Sequence, residues 1–147
     1  MHTPSGYRLV DGPPLVADYR NLRQRSGLSR VTEDQAVGAV RGGWTACHVV
    51  HDETSAVVGM GRVIGDGGWY FHIVDMAVLP EHQRRGLGDA VLDELLDRIR
   101  RHAPPGAWVT LLADPPGRRL YARHGFADTA PDSVGMALRT APNAGTP

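Results

Sequence analysis

Cysteine is nearly absent: Cys47 is the only one in 147 residues. No internal disulfide can form, so a reducing compartment is expected. Net charge is absent too, with Lys plus Arg at 16 and Asp plus Glu at 16. A non-specific nucleic-acid binder needs a positive excess to neutralise phosphates, so no nucleic-acid partner is expected. No apolar run approaches the ~20 residues of a membrane span, so no membrane partner is expected either. The opening MHTPSGYRLV lacks a basic stretch followed by an apolar one. No signal peptide is expected, and the location expected is cytoplasmic. There is no internal repeat and no internal linker. Histidines number seven, but no HExxH and no Cys/His cluster occurs. His48 and His51 are three apart in a predicted strand and so face opposite sides, and no metal is expected. No GxGxxG opens a helix after a strand, and no GxxxxGK[ST] is present.

What is present is ordinary in bulk and specific in pattern. Hydrophobic residues make up 41% and charged residues 22%. Both values fit one globular domain with a sizeable core. That domain is expected over 1–138, with a small, polar, Pro-containing tail at 139–147 expected to be disordered. Gly is high at 18 and Pro at 11, and many fall between periodic segments, as turn punctuation does.

The spacing predicts a strand over 7–10, a helix over 15–26 and a second helix over 32–40. Thr32 with Gln35 reads as a capping box. Strands are predicted over 44–51, 55–64 and 69–79, the last two joined by a hairpin at Gly65–Gly68. The run 69–79 is apolar on both parities, as in a strand covered on both faces. The strongest helix runs over 86–102, with Leu87, Val91, Leu95 and Ile99 at spacing four. Glu94 with Arg98 and Asp97 with Arg101 are i,i+4 pairs. A strand over 108–112 and a short helix over 115–123 follow. Phe126 and 134–138 are late strand candidates. Helices and strands mixed in this way imply an α/β or α+β fold.

The chemistry concentrates where the strand over 69–79 ends and the long helix begins. Unpaired N–H groups and partial positive charge make a helix N-terminus an anion site. Gly86 and Gly88 would let a pyrophosphate approach the backbone, and Arg84 and Arg85 add charge. As pure scaffold the pattern is poor. Arginines at a helix N-terminus oppose the macrodipole by up to ~1 kcal/mol each. Glycines early in a helix cost roughly 1 kcal/mol each against alanine. A basic surface loop is the plainer alternative.

Gln83-Arg84-Arg85-Gly86-Leu87-Gly88 resembles the Q/R-x-x-G-x-G/A acetyl-CoA motif of the GNAT superfamily of N-acetyltransferases. Ala77-Val78-Leu79-Pro80-Glu81 looks like that family's strand entry to the loop. Leu120-Tyr121-Ala122-Arg123-His124-Gly125-Phe126 is similar to the family's second signature, LYxxxGF. Both occur in the family's order, and the resemblance covers 44–138. It implies a mixed, mostly antiparallel central sheet flanked by helices, with acetyl-CoA as acyl donor. It also implies a small-molecule amine as acceptor and direct transfer in a ternary complex. Tyr121 is then expected near the CoA sulfur, as general acid to the departing thiolate. A core tyrosine is the alternative. The backbone N–H groups of Ala77 and Val78 are the expected oxyanion donors. Where the family often has Asn and Ala, seven and four residues before the tyrosine, this chain has Asp114 and Gly117. Asp114 could still accept a hydrogen bond from the pantetheine arm.

An alkylammonium must lose a proton before it attacks a thioester. His72 and Asp75 are the candidates for that base, and a water chain is the other option. His72 resembles a histidine of arylalkylamine N-acetyltransferases, and its ordinary pKa near 6.5 suits the task. Asp75 lies in an apolar run, where a charge must be paired or functional. Arg62 on the neighbouring strand is its structural alternative. Parity puts His72 and Asp75 on opposite faces unless a bulge reverses the pleat between them. Trp44, Trp69, Tyr70 and Phe71 could line an aromatic-amine pocket or pack in the core. Cys47 would suit an acyl-enzyme only if reactive, and its apolar strand suggests inert packing. Two other functions stay open: a protein lysine or N-terminal acetyltransferase, and a non-catalytic acyl-CoA sensor. Self-association into a homodimer also stays open, with no motif pointing to one.

Overall fold

The computed structural model describes residues 2–141. Five strands form one sheet in the order β1-β2-β3-β4-β5. They are β1 (Tyr7–Asp11), β2 (Thr45–His51), β3 (Val57–Gly65), β4 (Tyr70–Val78) and β5 (Trp108–Leu111). The first four pair antiparallel. β5 joins β4 in parallel. Four α-helices flank the sheet: α1 (Val16–Arg25), α2 (Glu33–Gly42), α3 (Leu87–His102) and α4 (Arg118–Arg123). This is the mixed, mostly antiparallel sheet that the resemblance implied.

Local sequence accounts for most of these elements. The Thr32 hydroxyl takes the Gln35 N–H, and the Gln35 side chain takes the Thr32 N–H, so the predicted capping box starts α2. Asp66 Oδ1 accepts the N–H groups of Gly68, Trp69 and Tyr70, which shapes the β3–β4 turn. Along α3 the predicted stripe is buried. The pairs Glu94–Arg98 and Asp97–Arg101 both form, each at 2.9 Å.

The helices divide between the two faces. α3 packs across β2, β3 and β4, while α1 packs on β3, β4 and α2. Trp44 and Phe71 pack edge-on at 4.8 Å, and Phe71 is fully buried. Trp69 and Tyr70 remain exposed. The four aromatics therefore split between core and surface.

Two predicted features differ. Residues 134–138 have the alternation of a strand but join no strand of the sheet. Phe126 packs near Tyr121, with ring centroids 6.2 Å apart, and is not in a strand. Alternation supplies a face, but a strand also needs a partner, and neither segment finds one among the described residues. Of the expected tail, 142–147 lie outside the described residues.

Candidate active site

A bulge in β4 organises the site. Arg62 stands opposite Val74, and Met60 opposite Ala77, so two residues of β4 face Gly61 alone. The extra residue is Asp75, whose φ of 59° is left-handed, a region Asp tolerates better than most side chains. The bulge reverses the pleat. Arg62 reaches the Ala39 carbonyl of α2, and the register places His72 on that same face. Asp75 joins it there, bonding Tyr19 and Arg23 of α1. Met76 points to the other face, where a Cβ on Gly61 would lie 2.7 Å from its sulfur and from Val91 Cγ1. The condition under which His72 and Asp75 share a face is met.

Three donors hold the carboxylate of Asp75. Oδ2 accepts Tyr19 Oη at 2.6 Å and Arg62 Nε at 2.7 Å. Oδ1 accepts Arg23. Asp75 and Arg62 are each only 6% exposed. This is the structural pairing with Arg62 that the sequence left open, and Asp75 also lines the cleft described below. Burial, and then the bond to Asp75, push the Tyr19 hydroxyl up to about 12.

Just before the bulge, β4 and β5 part. Their last pair is Ile73 with Leu111. From Val74 onward the β5-side edge of β4 faces a cleft of about 920 Å³. Leu79 N–H bonds the Val58 carbonyl, and ladder alternation then sets Ala77 on Met60 and turns Val78 outward. The Val78 carbonyl accepts Gln83 Nε2 at 2.9 Å, which agrees. Of the two expected oxyanion donors, only Val78 presents its N–H to the cleft. Ala77 N–H belongs to the ladder. Gln83 itself braces the loop against the strand end.

The far wall of the cleft is the start of α3. Arg84 has φ of 61° and Gly86 φ of 86°, so the loop turns twice through left-handed geometry. Gly86 is the N-cap and supplies no side-chain hydrogen bond, so the first N–H groups of α3 stay uncapped. Beyond its neighbours, a Cβ on Gly86 would meet only Pro4, at 3.6 Å, so conformation rather than space demands glycine there. Gly88 has a different reason: a Cβ would sit 3.1 Å from Leu120 of α4. Uncapped N–H groups beside two arginines fit a phosphate-bearing ligand.

Two contacts to Asp89 bring the second motif to the first. His124 Nε2 lies 2.9 Å from Asp89 Oδ1, and Arg123 donates to Asp89 Oδ2 at 2.9 Å. Tyr121 then lines the cleft with Asp114. A Cβ on Gly117 would lie 2.8 Å from the Tyr121 ring. Glycine at that position, a departure from the family pattern, is what lets the ring lie back over the turn. Burial, with the Asp114 charge second, raises the Tyr121 pKa above its usual value.

His72 is not among the residues lining the cleft, whose β4 wall begins at Ile73. Its Nδ1 lies 2.9 Å from Thr110 Oγ1. Burial lowers its pKa below the usual imidazole value. Cys47 is fully buried, and burial pushes its thiol up to about 12. No helix among the described residues is long and apolar enough to cross a membrane.

A splayed sheet edge beside an uncapped helix start is thus the frame of the site. The chain belongs to the acetyltransferase (GNAT) domain family, which it matches over residues 43–128. It is 33% identical to a probable acetyltransferase of unknown function from methicillin-resistant Staphylococcus aureus. The two superpose with a TM-score of 0.85, over 90% of this chain and 98% of that one. The uncharacterized N-acetyltransferase ycf52 of Pyropia yezoensis is 32% identical over 83 residues, which is 56% of this chain and 46% of that protein. The chain thus spans about half the length of the curated relatives it matches. Glucosamine-6-phosphate N-acetyltransferase of Arabidopsis thaliana shares the fold at 16% identity, with a TM-score of 0.67 over 92% of this chain and 99% of that one.

Proposed function

We propose that this chain transfers an acetyl group from acetyl-CoA to the primary amine of a small molecule. One observation carries the reading: a single cleft joins the uncapped N-terminus of α3, the Val78 N–H and the Tyr121 phenol. Its volume, about 920 Å³, is within the range of small-ligand sites. The N–H groups of α3 with Arg84 and Arg85 hold the pyrophosphate, and Gly86 keeps the loop in the turn that exposes them. Leu87 and Gly88 begin the helix there, and Asp114 faces the pantetheine arm.

Chemistry then falls to three groups. His72, neutral at pH 7 because burial lowers its pKa, takes the ammonium proton through water, since it stands behind the cleft wall. The amine nitrogen bonds the acyl carbon, and the Val78 N–H meets the developing oxyanion. As the C–S bond breaks, Tyr121 protonates the departing sulfur; its raised pKa keeps that proton available at neutral pH. No acyl-enzyme forms, since the Cys47 thiol is buried and un-ionised. Asp75 acts by holding the bulge rather than by moving protons.

A thiol-release assay on acetyl-CoA tests this, run against a panel of small amines and a lysine-containing peptide array. Turnover with small amines supports the reading. Turnover on peptides alone would move the acceptor to proteins. Binding of acetyl-CoA without turnover on any acceptor would favour a sensor.

A further inference from the structure

One wall of the cleft has no part in holding the acyl donor. Ser26, Gly27 and Leu28, which follow α1, line the cleft together with Asp75 of the β4 bulge. Two backbone bonds close this turn: Gly27 N–H to the Gln24 carbonyl, and Leu28 N–H to the Arg23 carbonyl. Gly27 takes φ of 90° between them. This is the Schellman way of ending a helix, and it shapes the turn without fixing where the turn lies against the sheet.

Arg23 supplies that fixing. Its Nε donates to the Ser29 carbonyl at 3.0 Å. Its Nη2 donates to the same carbonyl at 2.7 Å and to the Ser29 hydroxyl at 3.0 Å. Nη1 of the same guanidinium bonds Asp75 Oδ1. One side chain therefore grips the exit of the turn and the bulge together. The Arg23 side chain is 12% exposed and that of Asp75 2%, so water competes little for these bonds. Asp75 already has Arg62 as a cation and Tyr19 as a further donor, both on Oδ2. A second cation exceeds what one carboxylate needs for neutrality, and what it adds is the reach to Ser29. The neighbouring link is of another kind. Arg25 bonds Glu81 at 2.8 Å with both side chains well exposed, an arrangement that holds weakly.

We propose that Arg23 is a positioning residue for the acceptor: its guanidinium latches the wall at 26–28 to the β4 bulge and so sets the width of the cleft where the amine enters. The inference rests on the proposed acyl transfer, in which the pyrophosphate lies on the start of α3 and this wall is left to the acceptor. Asp75 stands three residues before Val78 on one strand, so the latch refers the wall to the strand that carries the oxyanion donor. The planar fork of arginine can serve a carboxylate and a carbonyl at once, whereas a lysine ammonium is a single point of charge.

Arg23→Lys tests this, because it keeps the charge beside Asp75 and loses the fork. With an amine that turns over in the thiol-release assay, KM for that amine should rise about tenfold, the scale of one charge-assisted hydrogen bond. The Kd for acetyl-CoA and kcat at saturating amine should stay within about twofold, as when binding alone is lost. Amides of 26–31 should exchange faster with solvent than in the native chain. Ser29→Ala, at an exposed position, removes only the hydroxyl contact and should raise the amine KM less, in the same direction. It decides the matter if circular dichroism shows the lysine variant unfolded. Arg25→Gln cuts only the exposed pair and should change neither constant. The proposal is overturned by an amine KM unchanged in the folded variants, by a loss of acetyl-CoA affinity as large as the rise in amine KM, or by an equal effect of Arg25→Gln. A native chain that acetylates no amine sinks the acyl-transfer reading instead. Exchange at 26–31 then decides the latch alone, and rates unchanged in Arg23→Lys overturn it.

Discussion

Arg62 Nε and Asp75 Oδ2 lie 2.7 Å apart with both side chains inside the fold. The pair joins β3 to the bulge of β4, and α1 adds Tyr19 and Arg23 to the same carboxylate. Removing one partner of a buried pair strands the other charge and typically costs about 3–5 kcal/mol. Arg62→Ala is therefore expected to lower unfolding stability by about that much in urea titration. A loss below about 1 kcal/mol would show that the remaining donors suffice.

Tyr121→Phe removes the proposed proton donor while keeping the ring against Gly117. A general acid contributes about 10²-fold or more. Turnover should fall by that order with little change in the apparent affinity for acetyl-CoA. Unchanged turnover in single-turnover kinetics would remove Tyr121 from the mechanism.

His72 predicts the shape of the pH profile. Its pKa lies below the ordinary 6.5, so it is deprotonated at pH 7 and competent as a base. The rate should fall as pH drops through that lowered value, and His72→Gln should abolish this acid limb. A limb that persists in the variant would assign the proton to another group.

Cys47 gives a contrasting expectation. With its thiol pushed up to about 12 and no exposed surface, it should resist alkylation in the native fold. Cys47→Ala should retain turnover in the thiol-release assay. Loss of turnover with the fold intact would reopen the acyl-enzyme route.

These groups were not equally legible in the sequence. The strand–loop–helix junction was, because a strand end and a helix start are local; the φ of 86° at Gly86 was not, since glycine there reads as room for a ligand. The capping box and the α3 stripe were legible for the same reason. Asp75 drew notice as a charge in an apolar run, and Arg62 could be named because adjacent strands fix a neighbour. Tyr19 and Arg23 could not, since they reach Asp75 across more than fifty positions of chain. Their one local trace is that Tyr19, Leu22 and Arg23 share a face of α1. The bulge had no signature either: an aspartate in left-handed geometry leaves no spacing to read. Without it the register of β4 could not be followed past Val74. Residues 134–138 have the alternation but pair with no strand among the described residues.

The start of α3 as a phosphate site is the feature on which acetyl-CoA binding depends. Thermal unfolding with and without acetyl-CoA, with adenosine 3′,5′-bisphosphate as a fragment control, measures it directly. Ligand at ~100 times its Kd should add roughly 2.7 kcal/mol. For a domain of this size that is a rise on the order of 5 °C. Gly86→Val, which cannot hold φ of 86° without strain, should diminish the shift. An unchanged melting temperature at millimolar acetyl-CoA would contradict the account.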